Sequence, residues 1–186
     1  VFAQLATRVD DRDLQRLVRW HAQDEERHAA LFLAAADRQG VPRPDVPASI
    51  QLLTHLNARL KLFGRPLTGP EDVMDAYLVL QVIEERAIVQ MEMIEPVMRK
   101  YDVEAANMML TIIKDEVRHL RYCHAITRRY AKSDARRVER LVEFRQAEAE
   151  AFASGEGRVS NSVRNWNDGL PPDDKTKKTL KGTHPT

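Results

Sequence analysis

Apolar residues recur at intervals of three and four along most of this chain, and the strict alternation of a half-buried strand is nearly absent. The intervening positions are rich in Ala, Leu, Glu, Arg and Gln, which favour helix, so the pattern predicts an all-α protein. A helical stub ends near Thr7, and Asp10 or Asp11 is placed to cap a long helix reaching about Asp37, where Gly40 and Pro42 stop it. That helix has an inner face of Leu14, Leu17, His21, Glu25, His28, Phe32 and Ala35, apolar except at its middle.

Residues 40–70 carry Pro42, Pro44, Pro47, Gly64, Pro66, Gly69 and Pro70 around one short amphipathic turn of Ile50, Leu53, Leu56 and Leu60. This predicts a long crossover between helices. Gly69-Pro70-Glu71-Asp72 then begins a helix, with Pro at the first helical position and acids at the positive dipole end. It should run to Val97 or Lys100, with Pro96 weakening its last turn. Another helix spans about Val103 to Tyr130, and Ser133 is placed to cap an amphipathic helix through Val138, Leu141, Val142 and Ala149. Beyond Gly155, the Gly, Asn, Pro, Asp and Lys content predicts an extended or disordered tail. The organisation read from the sequence is therefore a helical bundle over residues 1–153 and a tail over 154–186.

Bulk composition narrows the function classes. With 29 Lys and Arg against 28 Asp and Glu, the formal charge is +1, and nothing in this balance calls for nucleic acid or an acidic partner. Cys123 is the only cysteine, which excludes an internal disulfide and any four-cysteine metal module. No segment has the apolar length of a membrane span, and no signal-type segment opens the chain, so the expectation is a soluble, cytoplasmic protein. Val1 to Ala6 already has helical character, which suggests a start inside an element.

Chemistry enters with a repeat. Asp24-Glu25-Glu26-Arg27-His28 and Asp115-Glu116-Val117-Arg118-His119 each place a Glu and a His three residues apart on one helix face. Two acids, two free positions and a His would arise by composition only about 0.14 times in such a chain. The spacing suits the wall of a dinuclear metal site. The helix from Pro70 offers Glu84 or Glu85 as a further carboxylate. Glu84 is favoured for its more uniformly apolar stripe and its position 32 residues before Glu116, which suits two antiparallel helices joined by a short turn.

These residues resemble the ferritin-like di-metal carboxylate superfamily, which includes ferritins, rubrerythrins and diiron oxygenases. The resemblance covers about residues 1–130 and implies a four-helix bundle with a long crossover between its second and third helices. It implies Glu25 and Glu116 as bridging ligands, His28 and His119 as terminal ligands, and Glu84 as a terminal carboxylate. A sixth ligand, a Glu on the first helix, is absent, and by the symmetry of the helix pairs it is expected seven or eight positions before Val1. His21, one turn before Glu25, is the one candidate within the chain to help fill that gap. Asp24 and Asp115 are candidates to hold the ligand histidines by hydrogen bonds, and Tyr77, two turns before Glu84, to donate a hydrogen bond or an electron. Cys123, the methionines Met91, Met93, Met98, Met108 and Met109, His55, His124 and the Lys175–Lys181 run read as packing or solvated surface.

Oxygen-rich ligation with two imidazoles favours two iron ions, with manganese next. The resulting expectation is a diiron or dimanganese oxidoreductase, a homo-oligomer, that activates dioxygen or peroxide with electrons from a separate donor protein. The alternatives are a ferritin-like iron oxidation and storage protein, and a metal-free interaction bundle.

Overall fold

The computed structural model describes residues 11–42, 51–62 and 66–169, and all of its regular structure is helical. Five helices occur among these residues: α1 (Arg12–Arg38), α2 (Leu52–Leu60), α3 (Pro70–Tyr101), α4 (Val103–Tyr130) and α5 (Asp134–Gly169). The all-α reading of the sequence holds. The expected stub before Thr7, Ile50 of the crossover turn and the Lys175–Lys181 run lie outside the described residues.

Local chemistry sets the helix ends. Of the two acids before α1, Asp11 is the cap: its Oδ1 accepts from the backbone N–H of Asp13 and Leu14 at 2.9 and 3.1 Å. At the other end, Val41 N–H reaches the Ala36 carbonyl at 2.9 Å and Gly40 N–H that of Asp37 at 3.1 Å, a Schellman closure. Gly40 has φ +64°, the left-handed conformation that this closure requires and glycine takes without Cβ strain. Pro70 opens α3, and Asp72 Oδ2 accepts from the N–H groups of Gly69 and Thr68 at 3.1 and 2.9 Å. Asp102 alone separates α3 from α4, and its side chain caps α4 through Ala105 N–H at 2.9 Å. Ser133 caps α5 as expected, accepting from Arg136 N–H at 3.1 Å.

Two apolar clusters fix the arrangement. Leu14 and Val18 of α1 pack with Val73, Tyr77 and Leu80 of α3 and with Cys123 and Ile126 of α4. On the opposite flank of α3, Met74, Leu78, Val79 and Val82 meet Leu56 of α2 and Leu141, Phe144 and Ala151 of α5. Helix α3 is therefore apolar on two sides, and its buried residues run without interruption from Tyr77 to Val82. Bidentate ion pairs tie α5 to α3 at the rim, Arg140 to Asp75 and Arg86 to Glu148. Paired residues show that α4 runs antiparallel to both α1 and α3: Tyr130 approaches Asp11, Arg118 meets Asp24, and Arg99 reaches Asn107.

Two expectations are corrected here. The final helix continues to Gly169 instead of giving way to an extended tail near Gly155. Glycine inside a helix costs about 1 kcal/mol relative to alanine, a penalty that weakens a helix without obliging it to stop. Phe32, placed on the inner face of α1 by its spacing, is 42% exposed. The buried stripe of α1 is Leu14, Val18, His21 and His28, so its C-terminal turns are not enclosed.

Candidate metal centre

Because α1 and α4 are antiparallel, the two Asp-Glu-x-Arg-His segments face each other in a near two-fold relation. Each helix presents its Glu and His inward through the three-residue spacing, and the preceding Asp and following Arg lie at the rim. Glu116 lies between the two histidines: its Oε1 is 3.1 Å from His28 Nδ1 and its Oε2 is 2.8 Å from His119 Nδ1. Glu25 Oε1 is 3.6 Å from His28 Nδ1, 3.9 Å from His119 Nδ1 and 3.4 Å from His21 Nε2. Both glutamates thus approach histidines of both helices.

Helix α3 contributes Glu84 and not Glu85. Glu84 is buried, with Oε1 2.8 Å from His21 Nε2 and 3.9 Å from His119 Nδ1. Glu85, one residue on, turns outward to a bidentate pair with Arg145, both contacts at 2.8 Å. His124 sits in the field of Glu85 and of Arg128, Arg137 and Arg145, away from the ligand cluster.

The aspartates support the histidines crosswise. His119 Nε2 of α4 lies 3.1 Å from Asp24 Oδ2 of α1, and His28 Nε2 of α1 lies 3.3 Å from Asp115 Oδ2 of α4. An acid at Nε2 fixes the ring so that Nδ1 points into the site. The aspartates are held in turn by two arginines: Arg27 donates to Asp24 at 2.6 Å and Asp115 at 2.8 Å, and Arg118 to Asp115 and Asp24, each at 2.7 Å. Sequence reasoning passed over Arg27 and Arg118, although Arg occupies the same position in both copies of the repeat. It also passed over Tyr122, whose hydroxyl is hydrogen-bonded to His21 Nδ1 and which lies one turn after His119.

Tyr77, the tyrosine expected at the site, has a buried hydroxyl without a hydrogen-bond partner, and its ring meets Tyr122 at 6.4 Å between centroids. Neither ligand distance nor hydrogen bond ties Tyr77 to the site, so Tyr122 is the tyrosine in contact with it. Cys123 is fully buried in the first apolar cluster, where burial raises its thiol well above the usual range, as packing predicts. His21 belongs to the same cluster as Glu84 and His119. It lies on the Glu84–His119 side, with its Nε2 2.8 Å from Glu84 Oε1 and its ring 3.9 Å from that of His119 between centroids.

Without cations this cluster is electrostatically frustrated. Burial, together with the neighbouring Glu116 and Glu25 carboxylates, pushes Glu84 up to about 10. Burial would raise Glu116 as well, but hydrogen bonds from His119 and His28 outweigh it and hold the group below the ordinary carboxylate range. Burial opposes charging of His28, yet Glu116, Glu25 and Asp115 raise it to about 10. Asp24 is lowered to about 2, since Arg27, His119 and Arg118 prevail over its desolvation. The buried Glu25 Oε1 and His28 Nδ1 have no well-directed hydrogen bond.

These side chains could hold metal ions. The ligand atoms fall into two groups, His21, Glu25, Glu84 and His119, and Glu25, His28 and Glu116, each within 4.8 Å, with Glu25 in both. Three carboxylates facing three imidazoles, with the one thiol sequestered elsewhere, is a donor set that suits iron or manganese. Beside the second group a cleft of about 420 Å³ opens between α1, α3 and α4. Its floor is Glu25, His28 and Glu116, and its walls include Phe32, Met91, Ile94 and Ile112.

No protein-family model, curated protein or solved structure matches the chain. Among the described residues no helix is long and apolar enough to cross a membrane.

Proposed function

We propose that the chain is a dinuclear carboxylate metalloprotein of ferritin-like architecture, with α1, α3 and α4 as three walls of the bundle, and that it activates dioxygen or peroxide as an oxidoreductase. The observation that carries this reading is the position of Glu116, with one oxygen directed to each of two histidines that sit on different helices. Glu25, His28, Glu84, Glu116 and His119 would hold two iron ions, or two manganese ions. When bound, such a pair supplies two electrons to one oxidant.

The protein's share is positioning and exclusion of water. Asp24 and Asp115 aim the histidines, Arg27 and Arg118 hold the aspartates, and burial keeps Glu84 and Glu116 from solvent. The apolar cleft gives a small oxidant or an organic substrate a dry approach to the Glu25–Glu116 floor. Iron storage fits less well, since an iron-accepting entry favours acidic lining and this cleft carries no acid beyond Glu25 and Glu116.

The test is metal analysis of protein reconstituted anaerobically with ferrous iron, followed by exposure to dioxygen or peroxide. Two iron per chain, with consumption of one oxidant and loss of metal in Glu25→Ala and Glu116→Ala, is the expected result. Full metal content in both variants overturns the bridging assignment, and metal-free wild-type protein overturns the function.

A further inference from the structure

We infer that His21 is itself a metal ligand, which makes the two metal positions unequal: one closed by protein side chains, the other facing the cleft between α1, α3 and α4. This rests on the dinuclear reading above and specifies the ligation that reading leaves open.

His21 is 1% exposed, and its Nε2 lies 2.8 Å from Glu84 Oε1 and 3.4 Å from Glu25 Oε1. Its ring packs on that of His119, with centroids 3.9 Å apart and planes inclined by 32°. The other ring nitrogen, Nδ1, is engaged by the Tyr122 hydroxyl. When Nδ1–H donates to the Tyr122 oxygen, Nε2 keeps its lone pair toward Glu25 and Glu84. That is how an outer partner fixes the tautomer of a metal-ligating imidazole. One position therefore has His21, His119, Glu84 and the shared Glu25 around it.

The opposite position has Glu25, His28 and Glu116. His28 is 4% exposed, and its Nδ1 points into the site without a directed hydrogen bond. Among the described residues its remaining side is the cleft, whose lining beyond Glu25, His28 and Glu116 holds no further carboxylate or imidazole.

The experiment is anaerobic titration of the full chain with cobalt(II), followed by its visible absorption, and with ferrous iron by equilibrium dialysis. Two steps whose affinities differ at least tenfold are expected. His21→Gln should weaken the first step at least tenfold, Tyr122→Phe should weaken it less, and His28→Ala should remove the second step while sparing the first. Azide should alter the spectrum contributed by the second equivalent only. Circular dichroism melts confirm that each variant is folded, and Tyr122→Phe carries the test if His21→Gln is not. Two equivalents bound with one common affinity, an unchanged first step in folded His21→Gln, or an azide response from the first equivalent overturns the inference while the dinuclear function stands. Absence of any binding by the wild-type protein overturns both.

Discussion

His119 Nε2 lies 3.1 Å from Asp24 Oδ2, so the acid that supports a histidine of α4 comes from the repeat on α1. The reciprocal pair, His28 with Asp115, closes at 3.3 Å. Support is thus exchanged between helices, and each aspartate acts on the histidine of the other repeat. Asp24→Asn is expected to weaken metal binding at the His119 position, and Asp115→Asn at the His28 position, each by about 10–100-fold. Stepwise metal titration of the two variants checks this. Equal loss of both steps in either variant would show that the aspartates brace the bundle as a whole.

The arginines that hold these aspartates should matter less for stability than their number of contacts suggests. Arg27 and Arg118 have half-exposed side chains, at 43% and 56%. Exposed pairs contribute about 0–1 kcal/mol each because solvent screens them and ordering the side chains costs entropy. Arg27→Ala is therefore expected to lower the melting temperature by only about 2–4 °C, on a scale of 2–4 °C per kcal/mol for a domain of this size. Thermal melts monitored by circular dichroism decide it, and a drop beyond 10 °C would assign Arg27 a structural role.

In metal-free protein, stability should fall as pH rises from about 5 to 9. Glu84 and His28, each raised to about 10, bind protons in the folded chain that the unfolded chain releases near 4.5 and 6.5. His28 thus contributes stability that is complete below 6.5 and lost as pH rises toward 10, and Glu84 adds a penalty that grows from 4.5 upward. Each excess proton costs at most about 1.4 kcal/mol per pH unit. Asp24, lowered to about 2, works in the opposite sense, but its contribution is already complete above its unfolded value of 3.8. Metal must displace the protons on Glu84 and His28, so saturating metal should flatten or reverse the slope. Melts of chelator-treated and metal-loaded protein across this range test both statements. A metal-free melting temperature that rises from pH 5 to 9 would contradict them.

Most of the site was legible because its elements are local. A Glu and a His three residues apart share a helix face in any context, so Glu25, His28, Glu116 and His119 could be found without the fold. Glu84 could be separated from Glu85 by its apolar stripe, since the deeper face of α3 is the one buried on both flanks. Tertiary relations were not legible. Which aspartate serves which histidine depends on α1 and α4 being antiparallel and in register. The side on which His21 falls depends on the rotation of α1 against α3. Tyr122 was hidden among aromatic core residues, although its three-residue step from His119 placed it on the ligand face. Phe32 misled because helical period marks a face without saying whether a neighbour covers it.

The buried Glu84 offers the sharpest separation of fold from function. Its carboxyl is 3% exposed and is held largely neutral in metal-free protein by burial and by Glu116 and Glu25. Glu84→Gln keeps the shape and the contact to His21 while removing the need to bury a charge. At pH 8 folded wild-type protein must hold a proton on Glu84 that the unfolded chain has released, a cost the amide does not carry, so metal-free Glu84→Gln should be more stable than wild type by about 1–3 kcal/mol. Bound metal should reverse the order. The wild-type protein gains about 2.7 kcal/mol at a free metal concentration of one hundred times Kd, and the variant, lacking an anionic ligand at the closed position, gains far less. Paired melts with and without ferrous iron measure both differences on the same proteins. If Glu84→Gln destabilises the metal-free chain and leaves the metal-dependent gain intact, Glu84 belongs to the packed core and not to the metal centre.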